Sequence, residues 1–106
     1  MIITPAAEIA GYRVVETLGL VRGNTIRARH IGKDILAAFK NLVGGEIEEY
    51  TKMMAEAREQ SIDRMIAHAS ELGGNAITTV RFSTSYIMGG AAEIVVYGNA
   101  VILEPE

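Results

Sequence analysis

From about Glu46 to Leu72 the chain carries apolar or small residues every three or four positions: Ile47, Tyr50, Met54, Ala57, Ser61, Met65, Ala69 and Leu72. That period places them on one face of an α-helix. Met53, Ile62 and Ile66 widen the stripe. Glu46, Glu48 and Glu49 crowd its start, where the helix dipole favours acids by a few tenths of a kcal/mol. Gly73-Gly74 stops it, because glycine accepts the left-handed conformation common just past a helix end. At 1.5 Å per residue such a helix is about 40 Å long. A chain of 106 residues is one domain by size, with a radius of gyration of roughly 13 Å when compact. The helix overhangs its own domain unless it crosses the sheet diagonally, and overhang points to a neighbouring subunit.

The segments around the helix read as strands. Residues 12–21 are rich in β-branched and apolar types, with Val14, Leu18 and Leu20 sharing one face with Glu16 and Val15, Thr17 and Val21 the other. Arg22-Gly23-Asn24 is turn chemistry and predicts a hairpin into a second strand at 25–30. The period then becomes helical at Ile35, Leu36, Phe39, Leu42 and Val43, with Asp34 as N-cap and Gly44-Gly45 as terminator. After the long helix, residues 75–82 form a strand with Ala76, Thr78, Val80 and Phe82 opposite Ile77, Thr79 and Arg81. Residues 83–92 read as a small-residue loop containing Gly89-Gly90. Residues 93–103 form a last strand that is apolar on both faces, Ile94, Val96, Ala100 and Ile102 against Val95, Tyr97, Val101 and Leu103. Burial on both faces is typical of a central or covered strand. The expected order is β-β-α-α-β-β, an α+β fold with a small, mainly antiparallel sheet on one long and one short helix.

Composition narrows the function. With no cysteine the chain has no disulfides, thiolate zinc sites, iron–sulfur clusters or cysteine nucleophiles. The start, Met1 to Glu8, lacks the basic and apolar regions of a signal peptide, and no apolar run reaches the ~20 residues needed to span a bilayer. The expectation is a cytoplasmic protein with no membrane partner. A net charge of −3 and a pI near 5.4 argue against nucleic acid, whose binders carry a basic surplus. Hydrophobic residues make up 49% and mean hydropathy is +0.20, high for a chain this short, since small domains are mostly surface. The excess apolar area is expected to meet another copy.

Catalytic patterns are missing. Ser61, Ser70, Ser83 and Ser85 have no nucleophile-elbow glycines around them. The glycine pairs lack the lysine of a phosphate loop, and Asp34 and Asp63 show no paired-acid spacing. Arg22, Arg27, Arg29, His30 and Lys33 put several cations around one predicted hairpin and helix start, a pattern able to hold a small anionic or phosphate-bearing ligand. A solvated strand with alternate basic residues gives the same pattern. Met53, Met54 and Met65 at helical spacing read as core, and His68, with Arg64 four residues before it, is a poor metal ligand. The expectation is a binding protein rather than an enzyme, with an adaptor or scaffold as the alternative.

Several blocks resemble the YbjQ-like family, which carries a heavy-metal-binding label. They are Val21-Arg22-Gly23-Asn24; Val43-Gly44-Gly45-Glu46 followed by Tyr50; Arg58 through Arg64-Met65 to Ala69; and Leu72-Gly73-Gly74-Asn75-Ala76-Ile77 running into Arg81-Phe82. Glu93-Ile94 and Tyr97-Gly98-Asn99-Ala100-Val101 are similar to its last strand. The resemblance implies a dodecin-like subunit in a homopentameric ring, with a metal ion as ligand. Without cysteine, the metal reading falls to histidine, methionine and carboxylates. His30 is one candidate ligand, and Glu93, as a carboxylate lining a central ring opening, is the other.

Overall fold

The computed structural model describes residues 1–28, 45–87 and 91–106. The expected short helix with its Asp34 cap, the residues Arg29, His30 and Lys33, and Gly89-Gly90 lie outside the described residues, as do the side chains of Ile47 and Tyr50. Strand β1 is Ile2–Ile3, β2 is Tyr12–Ala28, helix α1 is Gly45–Glu71, β3 is Ala76–Ile87 and β4 is Ala91–Pro105. The four strands form one mixed sheet in the order β1-β3-β4-β2. β1 runs parallel to β3, and β4 is antiparallel to both of its neighbours. The strand apolar on both faces is thus an interior one, β4, flanked by β3 and β2.

The expected element order needs correcting in three places. The predicted hairpin at Arg22-Gly23-Asn24 is instead the middle of one 17-residue strand. β3 continues through the expected loop to Ile87, and β1 adds a short strand at the start. Gly23 explains the first correction. A Cβ there would overlap the Ser61 backbone carbonyl and lie 2.6 Å from the Met65 nitrogen. The glycine is needed because β2 runs directly against α1, and no turn is made.

Helix α1 carries the stripe foreseen. Met54, Ala57, Ser61, Met65 and Ala69 are buried, while Leu72, just past the helix end, is 43% exposed and outside the core. The end itself has Gly73 at φ +87°, with Gly74 N–H donating to Ala69 O at 2.9 Å and Gly73 N–H to Ser70 O at 3.0 Å. These two bonds satisfy carbonyls that a helix end otherwise leaves free.

The main core packs Met65 and Ala69 on Val21, Ile77, Val96 and Ala100, and a second cluster packs Met54 and Ala57 on Ala92 and Ile94. At the other end, Ile9 covers Ala76, Val101 and Leu103. Because β1 and β2 lie on opposite edges, the segment between them must cross the sheet, and it does so on the helix-free face.

Bulges change the faces read from strict alternation. Register shifts between Val14 and Glu16 and between Thr17 and Gly19 let Leu18 pack beside Val21 while Leu20 is 62% exposed. A shift between Thr78 and Arg81, with Thr79 at φ 55°, turns Phe82 to the helix side and separates it from Ala76. An inserted residue reverses every side chain beyond it. The chain measures 57 × 22 × 16 Å, with a radius of gyration of 17.6 Å, against roughly 13 Å for a compact domain of this length.

One polar pair lies inside the core. Ser61 Oγ is 2.9 Å from Thr25 Oγ1 and 2.8 Å from Ala57 O, and both residues are buried. One proton can reach Ala57 O while Thr25 donates to Ser61. Ser61→Ala leaves the Thr25 hydroxyl without this partner and should cost about 1–3 kcal/mol, whereas removing both hydroxyls with Thr25→Val should restore part of it. Denaturant unfolding of the two single variants and the double variant checks this, and strictly additive losses would refute the coupling.

Candidate functional site

The cations of β2 are divided by the pleat. Val21, Gly23 and Thr25 are buried against α1, so Arg27 shares the helix side and Arg22 points to the helix-free face. Arg27 Nη2 donates to Gln60 Oε1 at 2.7 Å, and its buried Nε has no partner among the described residues. Arg22 and Arg27 are therefore not one cluster.

The helix also closes the outer edge of β2. Arg64 Nη1 donates to Asn24 O at 2.6 Å, and the Arg22 N–H donates to His68 Nδ1 at 3.4 Å. An edge strand exposes such backbone groups to unwanted pairing, and two helix side chains occupy them here. His68 is thereby tied to the strand edge.

On the helix-free face a different set meets. Tyr97 of β4 lies opposite Arg22 of β2 and Arg81 of β3. Neighbouring strands are about 4.8 Å apart, so the two arginines flank one tyrosine with Cα atoms roughly 10 Å apart. Arg81 Nη1 donates to Pro5 O and Val80 O, each at 2.9 Å, which anchors one corner of the guanidinium while Nη2 and Nε keep their donors. Arg22 is exposed, and among the described residues the one ion pair is Arg13–Glu104 at 3.2 Å. The set is two guanidinium groups flanking a hydroxyl-bearing ring, suited to planar or tetrahedral oxyanions.

Glu93 sits on this same face between Ile26 and Ser85, two pleats or roughly 13 Å from the Tyr97 row. No group of three or more histidine, aspartate or glutamate side chains able to hold a metal occurs among the described residues. Glu93 and His68 lie on opposite faces, so the described part of the chain does not fit a metal centre. From the sequence, Arg81 and Tyr97 are strand residues and members of the family blocks, not site residues. Their partnership with Arg22 depends on strand register, which pairs positions about 60–75 residues apart in sequence.

A long helix on one side of a mixed sheet and an arginine-flanked tyrosine on the other define a small α+β protein with an anion-compatible surface. The chain belongs to the YbjQ family: a family model described as "Putative heavy-metal-binding" matches residues 1–104. A UPF0145 protein of Dehalococcoides mccartyi is 59% identical over 104 residues, covering 98% of this chain and 100% of the relative. UPF0145 proteins of Thermosipho melanesiensis and Pyrococcus abyssi are 57% and 52% identical over 106 residues, covering all of this chain and 98% and 93% of theirs. Among solved structures, a protein of unknown function from the DUF74 family of Pediococcus pentosaceus aligns with a TM-score of 0.53 at 17% identity, over 100% of this chain and 98% of that one. That likeness concerns the fold alone. Among the described residues no helix is long and apolar enough to cross a membrane.

Proposed function

We propose that this protein is a non-catalytic, homo-oligomeric binding protein that holds a small oxyanion on its helix-free sheet face, close to where copies meet. The Arg22–Tyr97–Arg81 row carries the reading. Two guanidinium groups stand there without a described carboxylate partner, and Arg81 is braced by two carbonyls. A charge-assisted hydrogen bond contributes about 1.5–3 kcal/mol, so two arginines give a useful affinity only if a neighbouring surface limits their solvation.

Such a surface is supported by Leu20 and Ile26, which are 62% and 58% exposed on the same face. Apolar side chains grouped around a polar site are typical of interfaces. A ring of copies, five in the arrangement that the family resemblance implies, covers them. The family description names heavy metals instead, and the described side chains give that version less support than the anion.

Titration calorimetry with inorganic phosphate and pyrophosphate tests the proposal. Wild type should show saturable binding, and Arg22→Ala should weaken it by about tenfold, equivalent to 1.4 kcal/mol. Arg27→Ala, on the opposite face, should leave the affinity unchanged. Equal losses in both variants would restore the cluster read from the sequence, and no binding by wild type would remove the anion.

A further inference from the structure

We propose that the outer edge of β3 from Arg81 to Ile87 pairs with the same edge of a second copy, antiparallel and centred on Thr84. β1 meets β3 only at Ala76 and Ile77, and hydrogen bonds from Thr79 and Val80 to the following segment complete that contact. From Arg81 onward no described residue pairs with the outer edge. The stretch holds no proline or lysine, the residues that usually blunt an edge. Its one charge, Arg81, is turned back onto Pro5 and Val80.

Side chains on this stretch are also left uncovered. Register with β4 sets Phe82, Thr84 and Tyr86 opposite Val96, Ile94 and Ala92, all buried on the helix side. Helix α1 packs mainly over β2 and β4, leaving Phe82 48% and Tyr86 78% exposed. A groove of about 280 Å³ lies between Thr51, Met54 and Arg58 of the helix and Thr84 and Tyr86 of the strand.

The sequence of the edge selects the partner. Phe82-Ser83-Thr84-Ser85-Tyr86 reads alike in both directions by side-chain type: aromatic, hydroxyl, threonine, hydroxyl, aromatic. Antiparallel pairing about Thr84 sets Phe82 opposite the partner's Tyr86, and Ser83 opposite the partner's Ser85. Aromatic pairs then line the helix side and hydroxyl pairs the other, both favourable across strands. A slip of one residue sets aromatics against serines and sends the two helices to opposite faces. A two-fold contact must be self-complementary, and this stretch is. The product is one continuous eight-stranded sheet with both helices on one side. It does not depend on anion binding, and a two-fold contact between rings of five would give particles of ten chains.

Because the chain has no cysteine, any disulfide in a single-cysteine variant joins two chains. Directly opposed residues have Cα atoms about 4.5–5.5 Å apart, within disulfide reach. Ser83 and the partner's Ser83 are diagonal neighbours at about 7–8 Å, beyond it. Under mild oxidation, Thr84→Cys should form cross-linked dimers at least tenfold faster than Ser83→Cys or Ser85→Cys, all three at exposed positions. Native mass spectra of wild type should show even numbers of chains. Equal cross-linking rates, or an odd-numbered particle alone, would overturn the pairing; a bare dimer would keep it and remove the ring.

Discussion

Replacing Gly23 by alanine is expected to destabilise the protein by about 3 kcal/mol, the upper end of what an extra methyl group costs in a packed interior. The added carbon would overlap the Ser61 carbonyl, lie 2.6 Å from the Met65 nitrogen and stand 2.9 Å from Arg64 Cβ. Two of these neighbours are backbone and the third is fixed to it, so no side chain can rotate away. The helix must lift from β2, and lifting it loosens Met65 and Ala69 from Val21 and Val96 at once. For a domain near this size, 3 kcal/mol lowers the melting temperature by roughly 12–24 °C. Gly73→Ala supplies the comparison, because its φ of +87° is strained for alanine but nothing lies within 4 Å. It should cost about 1 kcal/mol. Thermal unfolding that finds Gly73→Ala the more damaging would mean that β2 and α1 are not in close backbone contact at Gly23.

The same glycine shows what a sequence can disclose. Helix α1 was legible because its signal is local: a stripe of period 3.6 and a glycine pair that sit within the element they define. Arg22-Gly23-Asn24 carried an equally local turn signal, yet its glycine answers to Ser61 and Met65, about forty positions away. No window along the chain contains that cause. The segment after Phe82 failed for a related reason. Ser83 and Ser85 look like loop residues until β4 is laid beside them and they fall on the polar face of a strand flanked by Phe82 and Tyr86. The faces of β2 and β3 failed at the bulges, where one added residue exchanges inside for outside.

The candidate site was legible in part. Arg22 stood out as a cation, but grouping it with Arg27 ignored the pleat, which sends residues five apart to opposite faces. Its companions Tyr97 and Arg81 are set by two separate strand pairings. Neither has any signature in the residues between them. Asn75 belongs with these long-range features: its side-chain oxygen accepts from Leu103 N–H at 2.7 Å and its amide donates to Leu103 O at 3.0 Å. The amide takes the place of a strand residue where β3 has not yet begun. The sequence places Asn75 as the first residue of that strand, and nothing in its neighbours announces a side-chain bond to Leu103.

Val96→Asp should be the most damaging substitution of all. Val96 is fully buried at the centre of the main core, surrounded by Val21, Met65, Ala69, Ile77 and Ala100. None of these can donate a side-chain hydrogen bond or offer a positive charge. An unpaired carboxylate there costs several kcal/mol, comparable with the whole stability of about 5–15 kcal/mol expected of a domain. Val96→Ala removes two carbons without adding a charge, about 1.6 kcal/mol from transfer alone plus a cavity contribution, and should stay folded. Acidity separates the two effects. Burial pushes the introduced carboxyl up from its unfolded value, so the folded state binds the extra proton and the variant gains stability as pH falls toward 4. Circular dichroism at pH 7 should find Val96→Asp largely unfolded and Val96→Ala folded, with part of the lost signal recovered near pH 5. A Val96→Asp variant as stable as wild type at pH 7 would place Val96 outside the core, and with it the packing of α1 on the sheet that holds Arg22, Tyr97 and Arg81 in register.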